Sequence, residues 1–361
     1  MRNHSFDRRL IVPALLMLTT CALLIANLCG VLHLPWDQIG YLGLAGTTTA
    51  FPVNPELSAI AIGWRNRDVD MIADQVLPRV IGPKKFAYTK YTQADGYTVP
   101  ATRVGRKSDP TMVDFGGTLV YDECVDWGLD DLVPNDEIEA FNAMPHPASL
   151  VSPQAKTVSL LTGLVLLDRE IRVANLVFNT SNFSAGNQAT LSGTSQWSDF
   201  TNSNPLDAML VALDVPLIRP NTVVLGQQLW IKVRQHPRLI QAANASAQTG
   251  GAITRQDLAD LLEVKNVLVG TGFQNTAKKG QTPTYARVWG KYAALLFVSE
   301  DQANADQPTY GFTAQFGQRV AGTIPDQRKG LRGGQIVRVG ESVKEVIAAN
   351  DAGYLFAAAI A

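Results

Sequence analysis

The residues best suited to chemistry lie between Tyr121 and Glu139. Asp122, Glu123, Asp126, Asp130, Asp131, Asp136, Glu137 and Glu139 crowd into this one stretch. Paired carboxylates bind hard cations or carry out acid–base chemistry. Their spacing fits no EF-hand, and no glycine stands where that loop needs one. The stretch therefore reads as a solvated acidic surface able to meet the arginines of a second chain. Other reactive residues are as scattered. Cys21 and Cys29 share one apolar run and Cys124 stands alone, so neither a disulfide framework nor a zinc site is expected, and a reducing compartment fits best. His4, His33, His146 and His236 form no ligand motif. Gly270-Thr271-Gly272 lacks the third glycine and the following helix of a dinucleotide loop, and reads as a turn. No GxSxG, HExxH, GxxxxGK[ST] or CxxC occurs. No catalytic residue, cofactor or metal ion is expected.

The chain of 361 residues is long enough for two or more lobes, and its formal net charge of -1 excludes a strong overall electrostatic binder of nucleic acid. From Leu10 to Trp36 no residue carries a formal charge. As a helix this run is about 40 Å long, enough to cross a bilayer. Pro13, Asn27, Gly30 and Pro35 interrupt it, and Gly43-Leu44-Ala45 offers a cleavage pattern. An apolar arm, a start site placed too far upstream and a membrane anchor all remain open readings of residues 1–48.

Periodicity supplies the elements. Leu57, Ile60, Ala61 and Trp64 share one helical face. Phe86 to Val104 predicts a tyrosine-rich hairpin turning at Ala94-Asp95-Gly96, with too few aliphatic residues to fold on its own face. It reads either as a solvated hairpin or as one lying on something else. In the helix from Ser159 to Asn179, Leu160, Leu164, Leu167, Ile171, Ala174 and Phe178 make one apolar stripe, with Asp168, Arg169, Glu170 and Arg172 off it. Asp168 and Arg172 are spaced to pair. Thr180 to Asn204 is a polar linker, tethered by Trp197 and Phe200. Asn204-Pro205 caps a helix with Leu206, Met209, Leu210 and Leu213 inside. A strand Thr222–Leu225 follows, then a helix burying Leu229, Trp230 and Val233, a helix capped by Thr254 with Asp257, and the strand Val267–Val269. Strands are also expected at Ala293–Val298, Phe312–Phe316, Ile336–Val339, Val343–Ala349 and Tyr354–Ile360, the last two as a hairpin returning to the first lobe.

Several separated blocks, AIAIGWRN, IADQVLPRV, GLDDLVPNDEIEA, LLDREIRVANLVFN, VLGQQLW with HP after it, and VWGKYAALLFV, follow in an order that resembles the bacteriophage major capsid proteins of the Hong Kong 97-type fold. The resemblance runs from about Thr49 to the C-terminus. It implies an α+β fold divided into an N-terminal arm (49–82), an extended loop (83–120), a peripheral domain with a spine helix (121–204), an axial domain (205–340) and C-terminal strands (341–361). Neighbouring subunits would then be met by Phe86, Tyr88, Lys90, Tyr91, Tyr97, Arg103, Arg106 and Lys107 of the loop, and by Trp64, Arg65 and Arg67 of the arm. The core of the spine helix would be Leu160, Leu164, Leu167, Ile171 and Phe178. Implied partners are copies of the chain in hexamers and pentamers, packaged double-stranded DNA bound without sequence specificity, and scaffold, portal and decoration proteins. No membrane is implied in the mature shell. The location implied is the virion, with assembly in the bacterial host cytoplasm. Some relatives crosslink through a loop lysine. Lys84, Lys85, Lys90 and Lys107 do not match it, so noncovalent closure is expected. The rival readings are an encapsulin-like nanocompartment shell and a membrane-anchored binding protein.

Overall fold

The structure, a computed structural model, describes residues 71–91, 97–113, 117–143, 151–243, 251–299 and 309–361. The run 10–36, the predicted helical face at 57–64 and the turn at 94–96 lie outside them. All described residues belong to one unit, Phe51–Ala361. In chain order the elements are α1 (Ala73–Val76), β1 (Arg79–Gly82), β2 (Lys85–Tyr91), β3 (Gly117–Glu123), β4 (Val125–Pro134), α2 (Asn135–Ala143), α3 (Pro153–Val177), β5 (Gln188–Thr190), α4 (Pro205–Asp214), β6 (Thr222–Gly226), α5 (Gln227–Arg234), α6 (Pro237–Ala243), α7 (Arg255–Leu262), β7 (Asn266–Gly270), β8 (Phe273–Asn275), β9 (Tyr285–Arg287), β10 (Ala293–Leu296), β11 (Gly311–Asp326), β12 (Gly334–Ile347) and β13 (Gly353–Ala357).

A five-stranded sheet in the order β5-β13-β10-β6-β7 forms one centre. Its inner strands β13, β10 and β6 are short, mostly apolar runs because both faces are covered. Val223, Leu225, Ala293, Leu295 and Phe356 face a core shared with Met209 and Leu213 of α4, Leu229, Trp230 and Val233 of α5, and Leu258 and Leu262 of α7. Val224, Ala294, Leu296 and Leu355 face the opposite core, with Val173, Ala174 and Val177 of α3. The strand-ending glycines of the parallel pair β6 and β7 permit close approach. A Cβ on Gly226 would sit 1.8 Å from the Gly290 carbonyl, and one on Gly270 would sit 2.0 Å from the Trp289 ring. Asn204 and Thr254 cap α4 and α7 as their sequences predict, the latter with a full capping box through Asp257. Leu210 of α4 is exposed, where the sequence placed it inside.

A four-stranded sheet in the order β1-β11-β12-β4 forms the other centre. Its long ribbon β11–β12 bends at a bulge between Phe316 and Val320, where Gly317 takes φ 66°. The expected strands at Ile336–Val339 and Val343–Ala349 are one strand, β12. The expected C-terminal hairpin does not form, because β12 stays in this sheet while β13 pairs with β10 and β5 in the other. The tyrosine-rich hairpin also differs from expectation. β2 pairs antiparallel with β3, from Lys85↔Glu123 to Tyr91↔Gly117, and residues 97–113 form no strand.

The spine helix α3 joins the two centres. Ser152 caps it and Pro153 opens it, so it starts earlier than its apolar stripe. Its N-terminal half packs Val158 and Leu161 on Val337 and Val339 of β12, and its C-terminal half packs under the five-stranded sheet. Its buried face is rotated from the predicted one. Val158, Leu161, Val165, Arg169, Val173 and Val177 point inward, while Leu160 and Leu164 are 61% and 53% exposed. Leu167, Ile171 and Phe178 are half-buried against the core, and Ala174 is buried as predicted. The physical reason is the pair Arg169–Glu170, which the stripe excluded and the fold buries by supplying each with partners.

Candidate assembly surfaces

The predicted contact residues separate into three groups. Phe86 and Tyr88 of β2 turn toward their own chain. Their ring centroids lie 6.3 and 5.8 Å from Phe312 of β11 in edge-on geometry, so aromatic packing within the subunit occupies them. Lys90 is exposed, with its ammonium 5.9 Å from the Tyr88 ring centroid. Tyr97, Arg103, Arg106 and Lys107 lie on residues 97–113, a segment in which every residue but Pro100 is exposed. Tyr97 donates a hydrogen bond of 3.3 Å to the Leu217 carbonyl of its own chain. The Tyr91 side chain and Trp64, Arg65 and Arg67 lie outside the described residues.

Sequence reasoning missed the apolar part of the same segment. Val99 is 84% and Met112 is 95% exposed, and Val104 and Val113 are exposed beside them. Leu331, at the turn between β11 and β12, is wholly exposed. Exposed single apolar residues are ordinary, and here several are gathered in one exposed segment that forms no strand. The available signal was the run of Gly, Pro and charge around them, which hides scattered valines and methionines.

The acidic stretch is largely matched within the chain rather than left open for a second one. Arg338 forks onto Asp130 at 2.6 and 2.7 Å, and Arg332 reaches Asp136 at 3.4 Å and Glu139 at 3.1 Å. Lys84 meets Asp126 at 2.9 Å, and Lys344 meets Asp122 at 3.5 Å. Among the described residues no group of three or more His, Cys, Asp or Glu is arranged to hold a metal ion.

The other pair with catalytic residue types is Ser203 and His236, 3.1 Å apart. Both are buried, and Ser203 donates to the Asp199 carbonyl at 2.6 Å. The Asp199 carboxylate accepts from the backbone of Thr201 and Asn202 instead of from the imidazole, whose Nδ1 has no partner. Burial, with Arg238 adding to it, holds the imidazole below its usual range. This is a buried tether for the polar linker, without access for a substrate.

Buried charges gather where β1, β11, β12 and α3 meet. Glu341 is buried between Arg79 and Arg319, each at 2.9 Å. Burial presses the Glu341 carboxyl upward, yet the two guanidiniums outweigh it and hold it below the usual glutamate range. Arg169 pairs with Asp74 and donates to Thr313 Oγ1 at 3.0 Å. Glu170 accepts from three N–H groups, and burial still drives its carboxyl above the usual range. Residues 72–77, counted with the arm from sequence, are part of this packed body, because Ile72, Ala73, Val76 and Leu77 are buried in its core.

No protein-family model matches the chain. The major capsid protein of Pseudomonas phage JBD67 is 44% identical over 312 residues, spanning 86% of this chain and 98% of the relative. A crystal structure of a phage-related protein from Bordetella bronchiseptica RB50 superposes with a TM-score of 0.66 at 21% identity, covering 86% of this chain and 98% of that one. The capsid structure of cyanophage P-SCSP1u superposes with a TM-score of 0.52 at 9% identity, covering 88% and 94%. At those identities the two structures bear on fold alone, while the sequence relative carries the family. Two sheets joined by a spine helix, a long bent ribbon and an exposed loop fit both findings, and the chain belongs to the bacteriophage major capsid proteins with the Hong Kong 97-like fold.

Proposed function

We propose that copies of this chain assemble into hexamers and pentamers that close as an icosahedral head around double-stranded DNA. The observation that supports this most is the segment 97–113, exposed nearly throughout and studded with Tyr97, Val99, Val104, Met112 and Val113. Alone it gains little from folding, and against a neighbour those side chains leave water, each contributing up to a few kcal/mol. Arg103, Arg106 and Lys107 steer the contact, and Trp64, Arg65 and Arg67 of the arm add a second one. A standard interface buries on the order of 1,600 Å², and contacts from loop and arm add to it.

The role is structural, without catalysis. Assembly takes place in the bacterial cytoplasm with scaffold and portal proteins, and the product resides in the virion. A net charge of -1 is compatible with enclosing DNA, since packaged DNA retains counterions and needs no strongly basic wall. Electron microscopy of purified particles, with an assay for nuclease-protected DNA, tests the proposal. Closed shells holding DNA are expected. Shells that hold protein cargo and no DNA would support a nanocompartment, and a persistently monomeric chain would overturn self-assembly.

A further inference from the structure

Two consecutive buried residues of the spine helix grip both ends of α1. At its start, Glu170 accepts from the backbone N–H of Ile72 at 3.0 Å and of Ala73 at 2.9 Å, one on each carboxylate oxygen. The same carboxylate accepts from Trp289 Nε1 at 2.5 Å, which ties the grip to the loop leading into β10. At its end, Arg169 pairs with Asp74 and donates to Thr313 Oγ1 at 3.0 Å and to the Leu77 carbonyl at 3.4 Å. Thr313 in turn donates its hydroxyl to the Leu77 carbonyl at 3.0 Å, and its N–H donates to the Pro78 carbonyl at 2.8 Å. Arg79 then bonds Asp74 at 2.6 Å and Glu341 at 2.9 Å.

Apolar burial of Ile72, Ala73, Val76 and Leu77 would hold this single turn down without any charge. Buried ion pairs add little stability over apolar residues of the same size. Their directional bonds add register, since Glu170 takes the N–H groups of Ile72 and Ala73 while Arg169 holds Asp74 and the Leu77 carbonyl, and a slide of α1 by one residue would mismatch the two ends together. We propose that Arg169 and Glu170 are positioning residues for assembly. They fix the point and register at which Ile72 docks on the spine helix, so that every subunit holds the join to its preceding residues in the same place. The assembly part of this inference rests on the shell reading above.

Hydrogen–deuterium exchange on the unassembled full chain, paired with electron microscopy of particles, tests it. Glu170→Gln keeps the shape but turns an amide N–H toward one of the two backbone donors. Exchange of residues 72–77 should rise about tenfold or more while β6 and β10 stay protected, and closed particles should become fewer. Asp74→Asn is the second variant. It keeps the side chain's size and an oxygen acceptor while removing the negative charge that Arg169 and Arg79 share, and protection of β6 and β10 reports whether the body stays folded. Faster exchange at 74–77 is expected there too. If exchange rises equally in β6 and β10, or does not rise at 72–77, the grip is ordinary core packing and the proposal falls. If 72–77 loosen but both variants close particles as well as wild type, positioning in assembly is overturned. If wild type itself forms no particles, the shell reading fails, and the exchange result still decides whether the grip exists.

Discussion

The five-stranded sheet and the segment 97–113 are opposites. Every residue of β6 and of β10 is buried, and almost none of 97–113 is. The first finds its partners within one chain, on both faces. The second offers apolar side chains on a stretch held by sparse bonds of its own, such as Thr111 Oγ1 to the Ala101 carbonyl at 2.8 Å and Ser108 N–H to the Gly105 carbonyl at 3.1 Å. Folding is thus largely complete in one region and unfinished in the other, and substitutions in the two should be felt at different stages. In the sheet they should act on the subunit, and under the proposed assembly those in the loop should act on the shell.

The largest expected effect is in the sheet. Leu295 sits between Val223 and Tyr354 with its side chain fully buried. Leu295→Ala should lower subunit stability by about 2–5 kcal/mol, measured by urea unfolding of the unassembled chain. Particle yield should fall only as the soluble subunit falls. Particles lost from a subunit of unchanged stability would break the comparison.

Next comes acid. Glu341 has its carboxyl held below the ordinary value of 4.5, so the folded chain keeps it ionised more readily than the unfolded chain does. That stability is present above about pH 4.5 and is lost as pH falls through the depressed folded value. Glu170 has the opposite sign: its raised folded value means the ionised form costs stability at neutral pH, and the cost shrinks as pH falls. Glu341→Gln should therefore flatten the acid limb of the unfolding curve, and Glu170→Gln should steepen it, because the gain that Glu170 makes on protonation is removed. Both limbs unchanged would mean that neither carboxylate is linked to folding.

A smaller effect is expected at Thr254, which accepts from the Asp257 N–H at 3.1 Å while the Asp257 carboxylate accepts from the Thr254 N–H at 2.8 Å. Thr254→Ala should cost about 1 kcal/mol of subunit stability, read from the same unfolding curves, with particles closing normally. Defective particles here would mean that α7 also serves assembly.

This capping box was legible because its signal is local, as were Asn204-Pro205 and the buried face of α5. The face of α3 was not. A stripe drawn through leucines alone cannot foresee that Arg169 and Glu170 are buried, because their partners, Ile72, Asp74, Trp289 and Thr313, are distant in sequence. Strand pairing failed for the same reason. Nothing near Lys85–Tyr91 announces that its partner is Gly117–Glu123 and not the nearer stretch after Gly96. The resemblance gave Phe86 and Tyr88 as neighbour contacts, and no local pattern says that Phe312 of the same chain lies against their rings. In the candidate loop the charges Arg103, Arg106 and Lys107 stood out, while Val99 and Met112 did not, because their weight comes from exposure.

The smallest effect on the subunit should be the most informative about the shell. Val99→Ser combined with Met112→Ser removes two exposed apolar side chains and touches no core. Each change should shift subunit stability by no more than about 0.5 kcal/mol. If these side chains are buried against a neighbour, each loses up to a few kcal/mol of transfer free energy in the assembled state. Because the loss repeats at every subunit of a closed shell, particle formation should shift to markedly higher subunit concentration. Light scattering against concentration, with electron microscopy of the end state, reads that shift directly. An unchanged threshold would leave the exposed loop without a part in closure, and would move the search for the subunit contact to Leu160 and Leu164 on the spine helix.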